Sequence, residues 1–412
     1  MTRLLTIAIT AALPALLSAQ AQPAPTSLAI THANVVDVRT GSVTSDATIV
    51  VRDGRIVSVG PGAPPAGLKI VDAHGLHVLP GLIDAHTHIS NLRAARAALE
   101  SGVTTVRSSG VSGWVDVGLR ELVRGGFVAG PDVVASGYHV RPQIAEEAFL
   151  TEPSLAPLMR GANTPPDIRQ VVRANLAHGV DFIKVLATER AGTADTDPRK
   201  QVYTESELRA AVEEAALKNI PVQAHAHGDE GAMAAVRAGV RSIEHGTYLS
   251  DATLTLMKEK GTYLVPTYIT VVDVAGPGGD YDEPALLRRG AHMLPRLKST
   301  IERAHKLGVK VVTGADTSYG PNSLSRISSE VAAFTEMGLT PLDALQAATT
   351  RAAELLRLEK TTGAIAQGMD ADLIAVDGNP LKDPRVLQDV LLVVSNGRIA
   401  LDRLSFAKPG TN

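Results

Sequence analysis

Residues 79–88 read Leu79-Pro80-Gly81-Leu82-Ile83-Asp84-Ala85-His86-Thr87-His88, a short apolar run that ends in two histidines one residue apart. A brief apolar run after a Pro-Gly break predicts a buried strand. Alternate residues of a strand share a side, so His86 and His88 project together from its end. Two imidazoles converging from one segment make half of a transition-metal site. Asp84 faces the same side and reads as a buried polar support rather than a ligand.

Outward from this strand the pattern recurs. Further β-rich runs are Thr104–Ser108, Val133–Ser136, Asp181–Val185, Val222–His225, Ser242–His245, Tyr263–Thr267 and Val309–Thr313, which with Leu82–His86 makes eight. Amphipathic helices separate them. Thr204 with Glu207 signals a capping box, with Leu208, Ala211, Val212 and Ala215 as the buried stripe. Ile327, Val331 and Phe334 form another stripe stopped by Gly338, and Thr340-Pro341 starts the next helix. Eight βα units across residues 80–359 predict an α/β fold, a (β/α)8 TIM barrel. An open doubly wound sheet would want a Gly-rich phosphate turn after an early strand, and the sequence has none.

The two chain ends read differently. Residues 22–79 and 360–412 hold alternating apolar runs broken at Asp53-Gly54 and Asn396-Gly397, both hairpin signals. Neither end has enough strands for a stable sheet alone. Both are expected to pair into one small β-sandwich domain, with the barrel inserted between them.

The N-terminus has Arg3, an apolar run from Leu4 to Leu17 and an Ala19-Gln20-Ala21 site, which predicts a signal peptide over residues 1–21. A membrane span needs a longer run, and Pro14 interrupts this one. Export to a periplasm or beyond is expected, with no membrane association of the mature form. The formal net charge of −3 over 412 residues gives no electrostatic reason for nucleic acid as a partner. At 3% aromatic residues the chain also lacks base-stacking platforms. It has no cysteine, which removes thiolate zinc sites, thiol nucleophiles and iron–sulfur clusters. Any metal must be held by His, Asp, Glu or a modified side chain.

Catalytic groups of such a barrel sit at the C-terminal ends of its strands. Strand one ends at His86 and His88, strand four carries Lys184, strand five ends at His225, strand six at His245 and strand eight at Asp316. Four histidines and an aspartate at matching strand ends point to a metal site. His32, His74, His77, His178, His292 and His305 lack that setting and read as ordinary polar residues.

Leu79–His88, Lys184, His225-Ala226-His227-Gly228, Ser242-Ile243-Glu244-His245-Gly246 and Gly314–Thr317 resemble the metal-dependent amidohydrolase superfamily. The likeness is greatest to the branch of imidazolonepropionase, Xaa-Pro and Xaa-Arg/Lys dipeptidases and ochratoxin A-cleaving amidohydrolases. That resemblance implies two divalent metal ions, most simply zinc. His86, His88 and Asp316 would hold one and His225 and His245 the other. Lys184, carboxylated by CO2, would bridge them, because a protonated lysine has no acceptor to offer a metal.

The expected reaction is hydrolysis of the amide bond of small N-acyl amino acids or dipeptides, ochratoxin A included. Asp316 would serve as general base and acid. His139, His227 and Tyr248 are candidate substrate contacts. Arg190, Arg199 and Arg326 are candidates for a negatively charged substrate tail, and the residues do not single out one. A mononuclear deaminase or cyclic-amide hydrolase on the same barrel would not need Lys184, and a non-catalytic relative would have lost ligands. The resemblance also implies a homo-oligomer, though no coiled-coil repeat or apolar patch marks it.

Overall fold

The computed structural model describes residues 27–278, 281–321, 323 and 325–406, so the expected leader at 1–21 lies outside the described residues. The N-terminal strands are β1 (Leu28–Asp37), β2 (Ser42–Arg52), β3 (Arg55–Gly60), β4 (Lys69–Asp72) and β5 (His77–Pro80). Next come β6 (Leu82–Thr87), β7 (Val103–Ser108), β8 (Asp132–Ala135), β9 (Ile183–Leu186), β10 (Val222–Ala226), β11 (Ser242–His245) and β12 (Tyr263–Val265). After a helical stretch the chain returns to β13 (Leu373–Val376), β14 (Val390–Ser395) and β15 (Arg398–Asp402).

Both chain ends enter one eight-stranded sheet, in the order β15-β14-β13-β5-β1-β2-β3, with β4 on β1. The joint is antiparallel, β13 against β5, with Ile374 opposite Leu79. Leu28, Ile30, Ile49 and Val51 from the first end share a buried core with Leu373, Leu392 and Val394 from the second. Asp53 and Gly54 have φ of 49° and 78°, and Asn396 and Gly397 have 49° and 72°. Positive φ at both central residues is what a tight type I′ hairpin needs. The two turns also pack on each other: a Cβ on Gly397 would lie 2.6 Å from the Gly54 Cα.

β6-β7-β8 and β9-β10-β11-β12 are parallel sheets whose strands alternate with helices. Asp181 N–H donates to Ala135 O at 2.8 Å, and Val140 bridges Val185, so the two sheets meet beside β9. The expected strand at Val309–Thr313 is instead an irregular segment. Val311 forms a lone parallel bridge with Leu264, and Thr313 N–H turns to Ala347 O at 3.1 Å. The same segment bonds β6 on its other side, with Ala85 N–H to Thr313 O at 3.1 Å and Asp316 N–H to His86 O at 2.7 Å. Regular pairing breaks here because Asp316 sits at φ 44°, outside the extended region. Gly314 is required by closeness, since a Cβ there would lie 2.8 Å from the His86 Cβ.

The helices follow their sequence signals. Thr204 and Glu207 form the capping box, with Leu208, Ala211 and Ala215 buried. Thr340 caps Asp343 N–H, and Pro341 takes the first helical position. No described helix is long and apolar enough to cross a membrane.

Candidate metal centre

His86 on β6 is 1% exposed, and its Nδ1 donates to Glu244 Oε2 at 2.7 Å. Glu244 on β11 is held in turn at Oε1 by Arg107 Nη2 (2.9 Å) and Ser242 Oγ (2.5 Å). Arg107 on β7 also donates from Nε to Ala85 O at 2.6 Å, so one buried ion pair ties three strands beneath the site. A carboxylate accepting from one ring nitrogen fixes the tautomer and leaves a lone pair on the other. His86 Nε2 therefore offers its lone pair 3.1 Å from Lys184 Nζ and 3.5 Å from Asp316 Oδ1. His88 repeats the device: Nδ1 donates to Gly110 O at 2.9 Å, leaving Nε2 3.1 Å from the same Asp316 oxygen.

Burial works to raise the Asp316 pKa, but facing His86, His88 and Lys184 outweigh it and hold the carboxyl below the usual range. Asp84 is the opposite case: burial pushes it up to about 7. It accepts from Ala315 N–H (3.0 Å), His86 N–H (3.1 Å) and Tyr319 OH (2.8 Å), so it braces β6 against the Asp316 segment and offers no ligand.

Across the pocket, His225, His227 and His245 form a second group. Their ring centroids are 4.5–4.9 Å apart, and His227 stacks on His245 at 14°. Each ring has one nitrogen engaged: His225 Nε2 with Glu189 O (3.2 Å), His227 Nδ1 with Thr247 Oγ1 (2.9 Å) and His245 Nδ1 with Thr267 Oγ1 (2.7 Å). His245 holds a left-handed φ of 72°, an uncommon backbone for a non-glycine residue and a type that clusters at functional sites. Burial drives His86, His225 and His245 well below 6.5 and His227 to about 3, so these rings are neutral at pH 7. Lys184 is buried in the same pocket. Burial pulls its amine down to about 7, against the opposing pull of Glu244 and Asp316.

This donor set fits divalent metal. In each of the groups His86/His88/Asp316 and His225/His227/His245, one donor atom per residue lies within 4.8 Å of the others. The surroundings keep Asp316 an ionised carboxylate among converging ring nitrogens, and a divalent cation supplies the positive charge such a set favours. Imidazole with carboxylate suits zinc and its neighbours.

His86, His88, His139, Lys184, His225, His227, His245 and Asp316 line one pocket, about 620 Å³ of open space. Tyr248, expected among the substrate contacts, lines a neighbouring groove beside Asp197 and Arg199, with its OH 3.2 Å from His292 Nδ1. Of the candidate arginines, Arg199 is tied to Asp197 (3.0 and 2.9 Å) and Arg326 to Ser325 O (2.7 Å), while Arg190 lines the pocket. Sequence reasoning missed the supporting residues Arg107, Glu244, Gly110 and Thr267. Arg107 had a legible signal, because a charge inside an apolar strand needs a buried partner.

Comparison with known proteins agrees with this architecture. Residues 77–400 match the model of the amidohydrolase family. The chain belongs to that family. It is 29% identical over 409 residues to ochratoxinase of Aspergillus niger, covering 87% of this chain and 83% of that one. It is 28% identical over 386 residues to imidazolonepropionase of Symbiobacterium thermophilum, covering 82% and 85%. A crystal structure of a Xaa-Pro dipeptidase with bound methionine in the active site aligns with TM-score 0.81 at 30% identity, covering 91% of this chain and 99% of that one. The amidohydrolase thus has a TIM-barrel-like fold and is a hydrolase acting on amide C–N bonds. Metal dependence is typical of the family, and the two donor groups could hold the ions.

Proposed function

We propose that this amidohydrolase cleaves the amide bond of small N-acyl amino acids or dipeptides at a two-metal centre, with ochratoxin A among its substrates. One observation carries the reading: two separate donor groups share a pocket with a buried lysine whose Nζ lies 3.1 Å from His86 Nε2. His86, His88 and Asp316 would hold one cation, His225 and His245 the other, and carboxylated Lys184 would join them. A bound pair of divalent ions, most simply zinc, supplies an activated water and polarises the scissile carbonyl.

The protein's own part is positional. Glu244 and Gly110 O fix the tautomers of His86 and His88. Asp316 takes the proton of the attacking water and delivers it to the leaving nitrogen. His139 and His227 contact the substrate in this reading. The buried walls exclude bulk water and strengthen every charge interaction inside. The ochratoxinase and Xaa-Pro dipeptidase likenesses support this substrate class.

We extend the reading to the whole chain. The segment at 310–317 closes the barrel between β12 and β6, and the eight-stranded sheet folds as a small sandwich. Residues 1–21 are removed on export, and identical chains assemble. Secreted protein beginning at Gln22, and sedimentation of the purified enzyme, test the last two points. The function itself is tested by metal analysis and product release. Two tightly bound ions per chain, with phenylalanine freed from ochratoxin A or amino acids freed from a dipeptide library, are expected. Failure of the metal-loaded protein to cleave any N-acyl amino acid overturns the proposal.

A further inference from the structure

A second cavity opens from the metal pocket. It has about 770 Å³ of open space, part of it continuous with solvent, and shares His88, His139 and Arg190 with the first. Its distinctive wall is the long connection after β8. Val140 in that connection pairs with β9, through Val140 N–H to Lys184 O (2.8 Å) and Leu186 N–H to Val140 O (3.1 Å). The segment is therefore extended here, and alternation sends Arg141 to the same side as His139 while Val140 is buried.

Arg141 and Arg190 both line this cavity, against an apolar surface of Tyr138, Ile144, Leu155 and Val171. Neither guanidinium makes an ion pair or hydrogen bond with any described residue. The acid that faces Arg141 is Glu147, whose Oε1 is engaged by Ser112 Oγ at 2.8 Å. Two guanidinium charges and one carboxylate leave the cavity short of an anion. Burial and the like charge of Arg190 both pull the Arg141 pKa down, an effect that a bound anion would relieve.

The flank follows from Asp316. Val271, Val274 and Met293 give the metal pocket an apolar stretch of wall, and Asp316 lines that same pocket but not the arginine cavity. That wall adjoins the Asp316 segment, because Thr270 Oγ1 donates to Ala315 O at 2.5 Å. The leaving nitrogen must lie beside the group that protonates it, so the leaving residue belongs to this apolar side. The arginine cavity is then left for the other half of the substrate. We propose that Arg141 and Arg190 form an anion subsite for the acyl side of the scissile amide, so that preferred substrates carry a carboxylate on their acyl portion. This rests on the amide-hydrolase reading above and narrows it to a substrate class.

The test compares N-succinyl-phenylalanine with its neutral relative N-succinamoyl-phenylalanine, and N-acetyl-glutamate with N-acetyl-glutamine, on the metal-loaded enzyme. We expect kcat/KM to favour the succinyl over the succinamoyl compound by about tenfold or more, the worth of a charge-assisted hydrogen bond. In Arg141→Gln and Arg190→Gln that ratio should fall towards one, and Arg141→Lys should retain part of it. An unchanged ratio in both glutamine variants overturns the proposal. So does a variant-sensitive preference for glutamate over glutamine as the leaving residue, which would put the anion on the other flank. If no amide is cleaved, the hydrolase reading fails by itself, and calorimetry with succinate decides the subsite. Affinity about tenfold weaker in the glutamine variants supports it, and equal affinity overturns it.

Discussion

Gly110 has φ of +101° and lies against the imidazole of His139, so that a Cβ added there would meet His139 Nε2 at 1.7 Å and Cδ2 at 1.8 Å. Backing the ring off to the 3.4 Å of ordinary contact requires a shift of about 1.7 Å, which breaks the 2.6 Å bond from His139 Nε2 to Ser109 O. The same residue supplies the carbonyl that holds His88 Nδ1. Gly110→Ala therefore disturbs two pocket histidines at once. Misplacing a reacting group by 1 Å costs about a hundredfold, so kcat/KM on an N-acyl amino acid should fall by at least about that factor. The left-handed backbone adds about 1–3 kcal/mol of instability for any residue with a Cβ. Gly113→Ala separates the two effects, because Gly113 also has positive φ, 67°, but a Cβ there meets nothing closer than 3.9 Å. It should lower the Tm and leave kcat/KM near wild type. The measurements are steady-state kinetics, metal content and thermal unfolding of both variants. A Gly110→Ala enzyme with kcat/KM within about threefold of wild type, a loss under 1 kcal/mol, would refute the positioning argument.

Four further outcomes are expected. Asp316→Asn should keep much of its metal and lose kcat by about 10²–10⁴, the usual worth of a general acid–base group; near-normal kcat removes that role. Glu244→Gln, which leaves Arg107 buried without its charge partner and loosens His86, should weaken metal binding by about 10–100-fold on titration with a competing chelator. Unchanged affinity would mean His86 is oriented by packing alone. Metal-free enzyme reconstituted with zinc at fixed dissolved CO2 should regain activity faster at pH 8 than at pH 6, because CO2 adds only to the free base and the Lys184 amine has a pKa of about 7. No pH dependence, or full activity with two metals in Lys184→Ala, removes the carbamate. Burial pushes Glu330 from its ordinary 4.5 up to about 8, so the folded state holds a proton there that the unfolded chain has released. Its contribution is thus full below about pH 4.5 and declines by roughly 1 kcal/mol per unit up to about pH 8. Denaturant titrations of Glu330→Gln should show a shallower fall over that window, and equal slopes would contradict the shift.

The part of the site legible in the sequence is the part governed by strand geometry. His86 and His88, Lys184, and His225 and His227 are local consequences of alternation at strand ends, and one pocket receives them all. Arg141, two residues beyond His139, obeys the same rule. The sequence does not mark it, because the run that continues β8 towards it has no strand signature of its own, being extended only through its pairing with Lys184 and Leu186. Seven of the eight expected barrel strands occur near their expected places. The eighth could not be read correctly, because Val309–Thr313 has ordinary strand composition. What accompanies the break is the left-handed backbone at Asp316 and the crowding of Gly314 against Val265 and His86, contacts that come from other strands.

Residues that hold the site in shape without entering it were the least legible, and Glu330 shows why. By periodicity it belongs to a helix whose apolar stripe is Ile327, Val331 and Phe334. Three residues after Ile327 and four before Phe334, Glu330 falls on that same stripe, but the partner that makes a buried glutamate tenable cannot be read from the helix. Here it is buried, and its Oε2 accepts from Ile269 N–H at 3.2 Å, at the start of helix Tyr268–Ala275, which has no side-chain cap of its own. That helix carries Thr270, Val271 and Val274, which line the metal pocket and not the arginine cavity. A remote carboxyl thus anchors the wall that would receive the leaving residue, while a connection after β8 shapes the wall for the acyl half. Changes confined to the two walls should therefore redirect which amide is cleaved while the metal centre stays as it is.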